Sequence, residues 1–78
     1  MSMRGIRLNI YDQRYHKHKE CIFSQELNLA ENIKLYNEIY HHSDVLHYVF
    51  IKESNRALDL SKALKDYHFV DGQILYLY

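Results

Sequence analysis

The stretch LKDYHFVDGQILYLY, Leu64 to Tyr78, decides how the chain is read. It opens on a short helical turn, passes through a tight connection at Asp71-Gly72, and ends in a strand rich in apolar and aromatic side chains. Gly72 supplies the positive φ that an Asp-Gly turn requires, so the strand begins at about Gln73. A chain that ends inside a strand is expected to have that strand tied into its sheet, because untied termini fray. The fold is thus expected to close at Tyr78, leaving no reactive tail.

Upstream, Ile6, Leu8 and Ile10 alternate with Arg7, Asn9 and Tyr11, the period-2 pattern of a strand with one apolar face. Asp12 to Lys19 is polar and basic and reads as a loop or the open end of a hairpin. Glu20 to Leu27 resumes strand character, with Cys21, Phe23 and Leu27 inward. Strict alternation would also turn Gln25 inward, unless a bulge intervenes, and the hairpin register stays open at that point. From Asn28 the period becomes helical: Leu29, Ile33, Tyr36 and Tyr40 recur on one face, and Leu35 and Ile39 widen the stripe. Asn28 with Glu31 makes a capping box, and His41 and His42 close the helix where positive charge suits its dipole. Val45 to Lys52 reads as a third strand, Ser54-Asn55 as a turn, Arg56 to Leu60 as a short fourth edge strand with Leu58 inward, and Ser61 to Tyr67 as a helical turn. The predicted order is β-β-α-β-β-short helix-β, an α+β chain with five strands and a single domain over residues 1–78.

A chain of 78 residues buries roughly 60 to 65% of its unfolded surface. Its stability should be about 4 to 8 kcal/mol. Ten basic residues balance ten acidic ones, so no global field draws nucleic acid or an anionic membrane. The single Cys21 cannot form an internal disulfide, and no stretch has the length of a membrane span or a signal-peptide core. These features point to a reducing, cytoplasmic setting without direct membrane insertion. Eleven aromatic residues, eight of them Tyr, exceed what so small a core accommodates, so several must cover the surface.

The element order resembles the β-grasp of ubiquitin, and the ending Leu64-x-x-Tyr67-x-Phe69, then Asp71-Gly72 and Leu75-x-Leu77, resembles the ubiquitin-like closing signature. Asp66 to Leu75 is further similar to the YukD/EsaB-type ubiquitin-like proteins, accessories of type VII secretion in Gram-positive bacteria. This likeness runs from about Tyr48 onward; over the first forty residues it is one of topology, and the Arg14 to Lys19 loop has no counterpart. It implies that Leu64, Phe69, Leu75 and Leu77 pack in the core. It also implies that the Tyr67 hydroxyl staples the preceding loop and that the last strand pairs between the first and third. Ubiquitin is conjugated through a tail ending in two glycines, whereas no glycine follows Gly72 here, so a binding module rather than a tag is expected.

If Val49, Ile51, Leu75 and Leu77 face the helix, alternation sends Tyr48, Phe50, Ile74, Tyr76 and Tyr78 to the outer sheet face. A contiguous aromatic patch of that kind marks a partner surface, or else a minor core under loops. Six histidines, His16, His18, His41, His42, His47 and His68, raise a metal reading, but none are paired at zinc-ligand helical spacing and Cys21 does not complete a set. They read instead as solvated or capping residues. Arg14-Tyr15-His16-Lys17-His18-Lys19 mixes basic and aromatic side chains as nucleic-acid contacts do, though a solvated loop explains it as well. Cys21 lies in an apolar alternation, where a free Cys acts as a small core residue. No catalytic arrangement stands out, so neither an enzyme nor a cofactor is expected.

The expected function is an accessory or regulator of type VII secretion. It would dock on a membrane component or ATPase of the apparatus, which would hold it at the inner face of the membrane. A homodimer through a sheet edge or the aromatic face is compatible with the sequence. The alternatives are a small RNA-binding protein using the basic loop and a β-grasp adaptor in an unrelated pathway.

Overall fold

The structure is a computed structural model that describes residues 5–43, 46, 48–52, 54 and 56–78. β1 (Gly5–Asp12) and β2 (Lys17–Ser24) form an antiparallel hairpin, α1 (Leu29–Ile39) crosses the sheet, and β3 (Val49–Ile51) is short. A 3-10 turn (Leu64–Tyr67) leads to β4 (Gln73–Leu77). The sheet order is β2-β1-β4-β3, with β4 parallel to β1 and antiparallel to β3. This is the mixed sheet of the β-grasp, wrapped on one helix, with the last strand in the position that the resemblance implied.

The core follows from two periodicities. Ile6, Leu8 and Ile10 from β1, Phe23 from β2, Val49 from β3 and Leu75 and Leu77 from β4 meet Leu29, Ile33 and Tyr36 of α1, and Leu64 closes one end. Asn28 caps α1 through its side chain onto the Glu31 N–H at 2.7 Å, while the Glu31 carboxylate accepts from the Asn28 N–H at 3.1 Å, the expected capping box. Buried Asn32 fastens the helix to the end of β2. Its Oδ1 accepts from the Ser24 N–H at 2.8 Å and its Nδ2 donates to the Ser24 carbonyl at 2.9 Å. Gly72 has φ of 90°, and β4 begins at Gln73. The Tyr67 hydroxyl donates to the Asp59 carbonyl, stapling the loop before it.

Among the described residues, the sheet has four strands rather than five. Arg56 to Leu60 is not a strand, although the Leu58 N–H donates to the Val49 carbonyl of β3 at 2.8 Å. The reason is that the segment serves the helix start. The Leu60 and Lys62 carbonyls accept from the Ala30 and Leu29 N–H groups at 2.9 and 3.2 Å, satisfying donors that a helix N-terminus leaves open.

Four further boundaries differ from the sequence expectation. β1 runs on through Asp12 and β2 begins at Lys17, so the hairpin loop is only residues 13–16. β2 ends at Ser24 in continuous register, which leaves Gln25 in the following turn and requires no bulge. α1 ends at Ile39 with Tyr40 as its cap, and His41 has already left the helix with φ of 56°. β3 is confined to Val49–Ile51, and Asp44, Val45 and His47 lie outside the described residues, as do Glu53 and Asn55. Tyr78 falls just beyond β4, yet its N–H donates to the Tyr48 carbonyl at 2.9 Å and its own carbonyl accepts from Tyr48.

Leu35 and Ile39 were expected to widen the buried stripe but are 47% and 68% exposed. They sit about 100° round from the Leu29-Ile33-Tyr36 face, past the margin of the sheet beneath.

Candidate functional site

Alternation along β1, β3 and β4 turns one set of side chains away from the helix. In register across the sheet, His18 of β2 opposes Tyr11 of β1, Tyr11 opposes Tyr76 of β4, and Tyr76 opposes Phe50 of β3. One rung of aromatic rings thus crosses all four strands. The His18 ring lies flat on Tyr11 at 4.2 Å between centroids and 6° between planes. Tyr11 and Tyr76 are 5.4 Å apart. The neighbouring rung is Tyr48 with Tyr78, and the Phe50 ring meets Tyr78 edge-on at 5.6 Å. On the other side of the main rung, Ile74 opposes Asn9, whose Oδ1 lies 3.3 Å from His18 Nε2.

All five side chains expected on the outer face, Tyr48, Phe50, Ile74, Tyr76 and Tyr78, fall on it. Tyr48 and Tyr78 are 56% and 46% exposed, while Phe50, Ile74 and Tyr76 are half-buried against their neighbours. Tyr48, Phe50, Tyr76 and Tyr78 line an open concavity of about 670 Å³, with Lys52 and Ser54 at its rim. The sequence reading missed Tyr11 and His18. Tyr11 continued the β1 alternation and so carried the signal, but treating Asp12 to Lys19 as loop removed the partner strand that brings His18 beside it.

The basic run is divided among three places. Arg14 turns inward, His18 joins the outer face, and Lys17 and Lys19 lie on the helix side of β2 with the Lys19 Nζ 4.3 Å from the Tyr40 ring centroid. Tyr15 stacks on His42 at 4.0 Å. Among the described residues, no three His, Cys, Asp or Glu side chains come together as a metal site. Cys21 is partly buried, with its Sγ 4.0 Å from the Tyr40 hydroxyl. Burial pushes its thiol up, against a smaller opposite effect from the Tyr40 hydroxyl and Lys19.

Asp12, read from sequence as the start of a loop, is instead a buried anion, 1% exposed. Its Oδ1 accepts from the Arg14 backbone N–H at 3.1 Å and from Arg14 Nε at 2.9 Å. Its Oδ2 accepts from Arg14 Nη2 at 2.7 Å and the Tyr36 hydroxyl at 2.9 Å, and His42 Nδ1 stands 3.5 Å away. Burial alone would raise this carboxyl, but the hydrogen bonds from Arg14 and Tyr36 and the guanidinium charge outweigh it and hold the group below the usual carboxylate range. The Tyr36 phenol is pushed far up by burial and by the carboxylate it serves. The cluster lies at the end of β1, one residue beyond Tyr11, and anchors the hairpin that carries Tyr11 and His18.

The strand order and the single helix packed on the sheet give the chain a ubiquitin-like β-grasp fold. The chain is similar, at 20% identity and a TM-score of 0.73 over 96% of its length, to part of one chain in the structure of protomer 1 of the ESX-3 core complex, and it spans only 16% of that chain. It is likewise similar to the ubiquitin-like domain of the Mycobacterium tuberculosis type VII secretion system protein EccD1. That match has 17% identity and a TM-score of 0.64, covering 96% of this chain and 98% of that one. The ubiquitin-like domain of yeast Ddi1 matches at 14% identity and a TM-score of 0.68, covering 99% of this chain and 91% of that one. No protein-family model and no curated sequence matches the chain. Among the described residues, no helix is long and apolar enough to cross a membrane.

Proposed function

We propose that this chain is a non-enzymatic, ubiquitin-like docking module of the YukD/EsaB type, working at the cytoplasmic side of a type VII secretion apparatus. It binds a membrane component or ATPase of that machine through its outer sheet face. The observation that carries the reading is the aromatic rung from His18 through Tyr11 and Tyr76 to Phe50, flanked by Tyr48 and Tyr78. Tyr and Phe offer large, rigid area at small entropic cost, and half-buried rings already held by their neighbours lose little freedom when covered. The likeness to ubiquitin-like domains of type VII secretion proteins supports the choice of machine.

The test is affinity capture from detergent-solubilised membranes and cytoplasm of the source cells, in moderate salt, with mass spectrometry of what is retained. Recovery of a secretion-machine membrane protein or ATPase by the wild type, and its loss with Phe50→Ala and Tyr76→Ala combined, is the expected result. Recovery of RNA, or of nothing specific, would remove the secretion reading and leave the fold.

A further inference from the structure

Hydrogen bonds beside the aromatic rung fix where one of its rings carries its proton. The turn at Asp71-Gly72 is tied back to β1: the Arg7 N–H donates to Asp71 Oδ1 at 3.0 Å and the Gly72 N–H to the Arg7 carbonyl at 2.8 Å. The Gly72 carbonyl in turn lies 3.1 Å from Asn9 Nδ2. A carbonyl oxygen only accepts, so the Asn9 amide must turn its nitrogen to Gly72 and its oxygen the other way. That oxygen stands 3.3 Å from His18 Nε2 and is also an acceptor, so Nε2 must be the nitrogen that bears the hydrogen. In the neutral ring Nδ1 is then an acceptor. The ring is exposed and held flat on Tyr11, and no hydrogen bond reaches Nδ1 among the described residues.

We propose that His18, set by Asn9 as the Nε2–H tautomer, accepts an N–H of the docked partner at Nδ1 and that protonation of the ring ejects that donor. The inference rests on the outer face being the docking surface, and it names the chemistry at one end of it. Contact with the rings of Tyr11, Tyr76 and Phe50 gives area without direction, whereas one fixed acceptor sets the register of whatever lies across them. Phe50 is three strands away from His18 in the sheet order. At about 4.8 Å per strand, the partner therefore carries its N–H some ~14 Å from the apolar group that covers Phe50. Nε2 donates to Asn9 in both charge states, so protonation changes Nδ1 alone, from acceptor to donor. Two donors then meet across the interface, a mismatch that disfavours the complex. The charged and titratable groups sharing this face around His18 are Glu20 on β2, opposite Asn9, then Tyr11 and Arg7 on β1 and Tyr76 on β4. His16 stands in the loop two residues back, while Lys17 and Lys19 alternate to the helix side.

The test has two arms, both on the full chain. In the isotope-labelled protein, long-range proton–nitrogen correlation of the imidazole rings reads the tautomer without any partner. At about pH 7.5 His18 should show its hydrogen on Nε2 alone, and Asn9→Thr should release it into a mixture of tautomers. The second arm repeats the capture from solubilised membranes and cytoplasm at about pH 7.5 and about pH 5.5, following the component that Phe50→Ala with Tyr76→Ala loses. Acid should lower wild-type retention about tenfold. His18→Phe keeps a ring on Tyr11 and removes both nitrogens. It should retain roughly three- to tenfold less than wild type at the higher pH and show little further fall in acid, and circular dichroism at both pH values checks that each variant is folded. Hydrogen on Nδ1 in the wild type, retention unchanged or raised by acid, or a fall in His18→Phe as steep as in the wild type would each overturn the proposal. Equal retention by wild type and by Phe50→Ala with Tyr76→Ala at the higher pH is the separate signature of a failed docking reading, and the partner contact falls with it.

Discussion

Replacing Asp12 by Ala should cost far more than the loss of an ordinary surface ion pair. Four donor contacts converge on its carboxylate, three from Arg14 and one from the Tyr36 hydroxyl, at 2.7 to 3.1 Å. Arg14 and Asp12 side chains are 5% and 0% exposed. Removing the anion takes the carboxylate away from a buried guanidinium, which also donates to Asn37 Oδ1 at 3.0 Å, and from a buried phenol. Breaking one partner of a buried pair costs about 3 to 5 kcal/mol. A domain of this size holds about 4 to 8 kcal/mol in all. Urea unfolding followed by far-UV circular dichroism should therefore show a midpoint lowered by about 3 M or more, with unchanged slope, taking ~1 kcal/mol per M for so small a chain. High salt should leave the wild-type contribution largely intact, since a buried pair is little screened. Replacing Asp12, Arg14 and Tyr36 together by Leu, Met and Phe should recover much of the loss, because the guanidinium and the phenol are removed along with the carboxylate that they serve. A loss below about 1 kcal/mol for Asp12→Ala, the scale of an exposed pair, would refute the reasoning.

Other outcomes follow from the same geometry. Because the folded Asp12 carboxyl sits below its unfolded value, its contribution is fully present above about pH 4 and is lost as pH falls through the folded value. Acid titration of unfolding should lose that component in the wild type and not in Asp12→Ala. Leu75→Ala, at a position with no exposed surface, should cost about 2 to 5 kcal/mol and leave a visible unfolded fraction by NMR. Tyr48→Ala, at a side chain 56% exposed, should change the unfolding midpoint little while reducing partner retention. His68 closes the 3-10 turn with φ of 56°. His68→Gly should raise stability by about 0.5 to 1 kcal/mol, since the relief of a left-handed backbone exceeds the entropy Gly adds to the unfolded chain; an equal or lower midpoint would contradict this.

What the sequence disclosed was local chemistry. Asn28 and Glu31 announced the helix start, Gly72 the turn into β4, and the alternation of Ile6, Leu8 and Ile10 the face of β1. What it concealed depended on partners distant along the chain. Asp12 looked like loop because nothing nearby reveals that Tyr36, from the third turn of α1, comes to bond it. Arg56 to Leu60 has strand-like composition, but the Leu60 carbonyl, like that of Lys62 beyond it, is drawn to the helix N-terminus, a use of backbone that side-chain patterns do not record. Leu35 and Ile39 carry the helical period, yet the sheet does not extend beneath them. Of the outer face, the β3 and β4 residues were legible from alternation, whereas Tyr11 and His18 needed the true length of the hairpin.

Quantitative capture by the wild type and by the folded Phe50→Ala, Tyr76→Ala variant, side by side at low and high salt, tests the docking account most directly. The account predicts that the wild type retains a type VII membrane component or ATPase at both salt levels and that the variant loses it at both. Equal retention by the two proteins, or retention that vanishes with salt for the wild type, would contradict it.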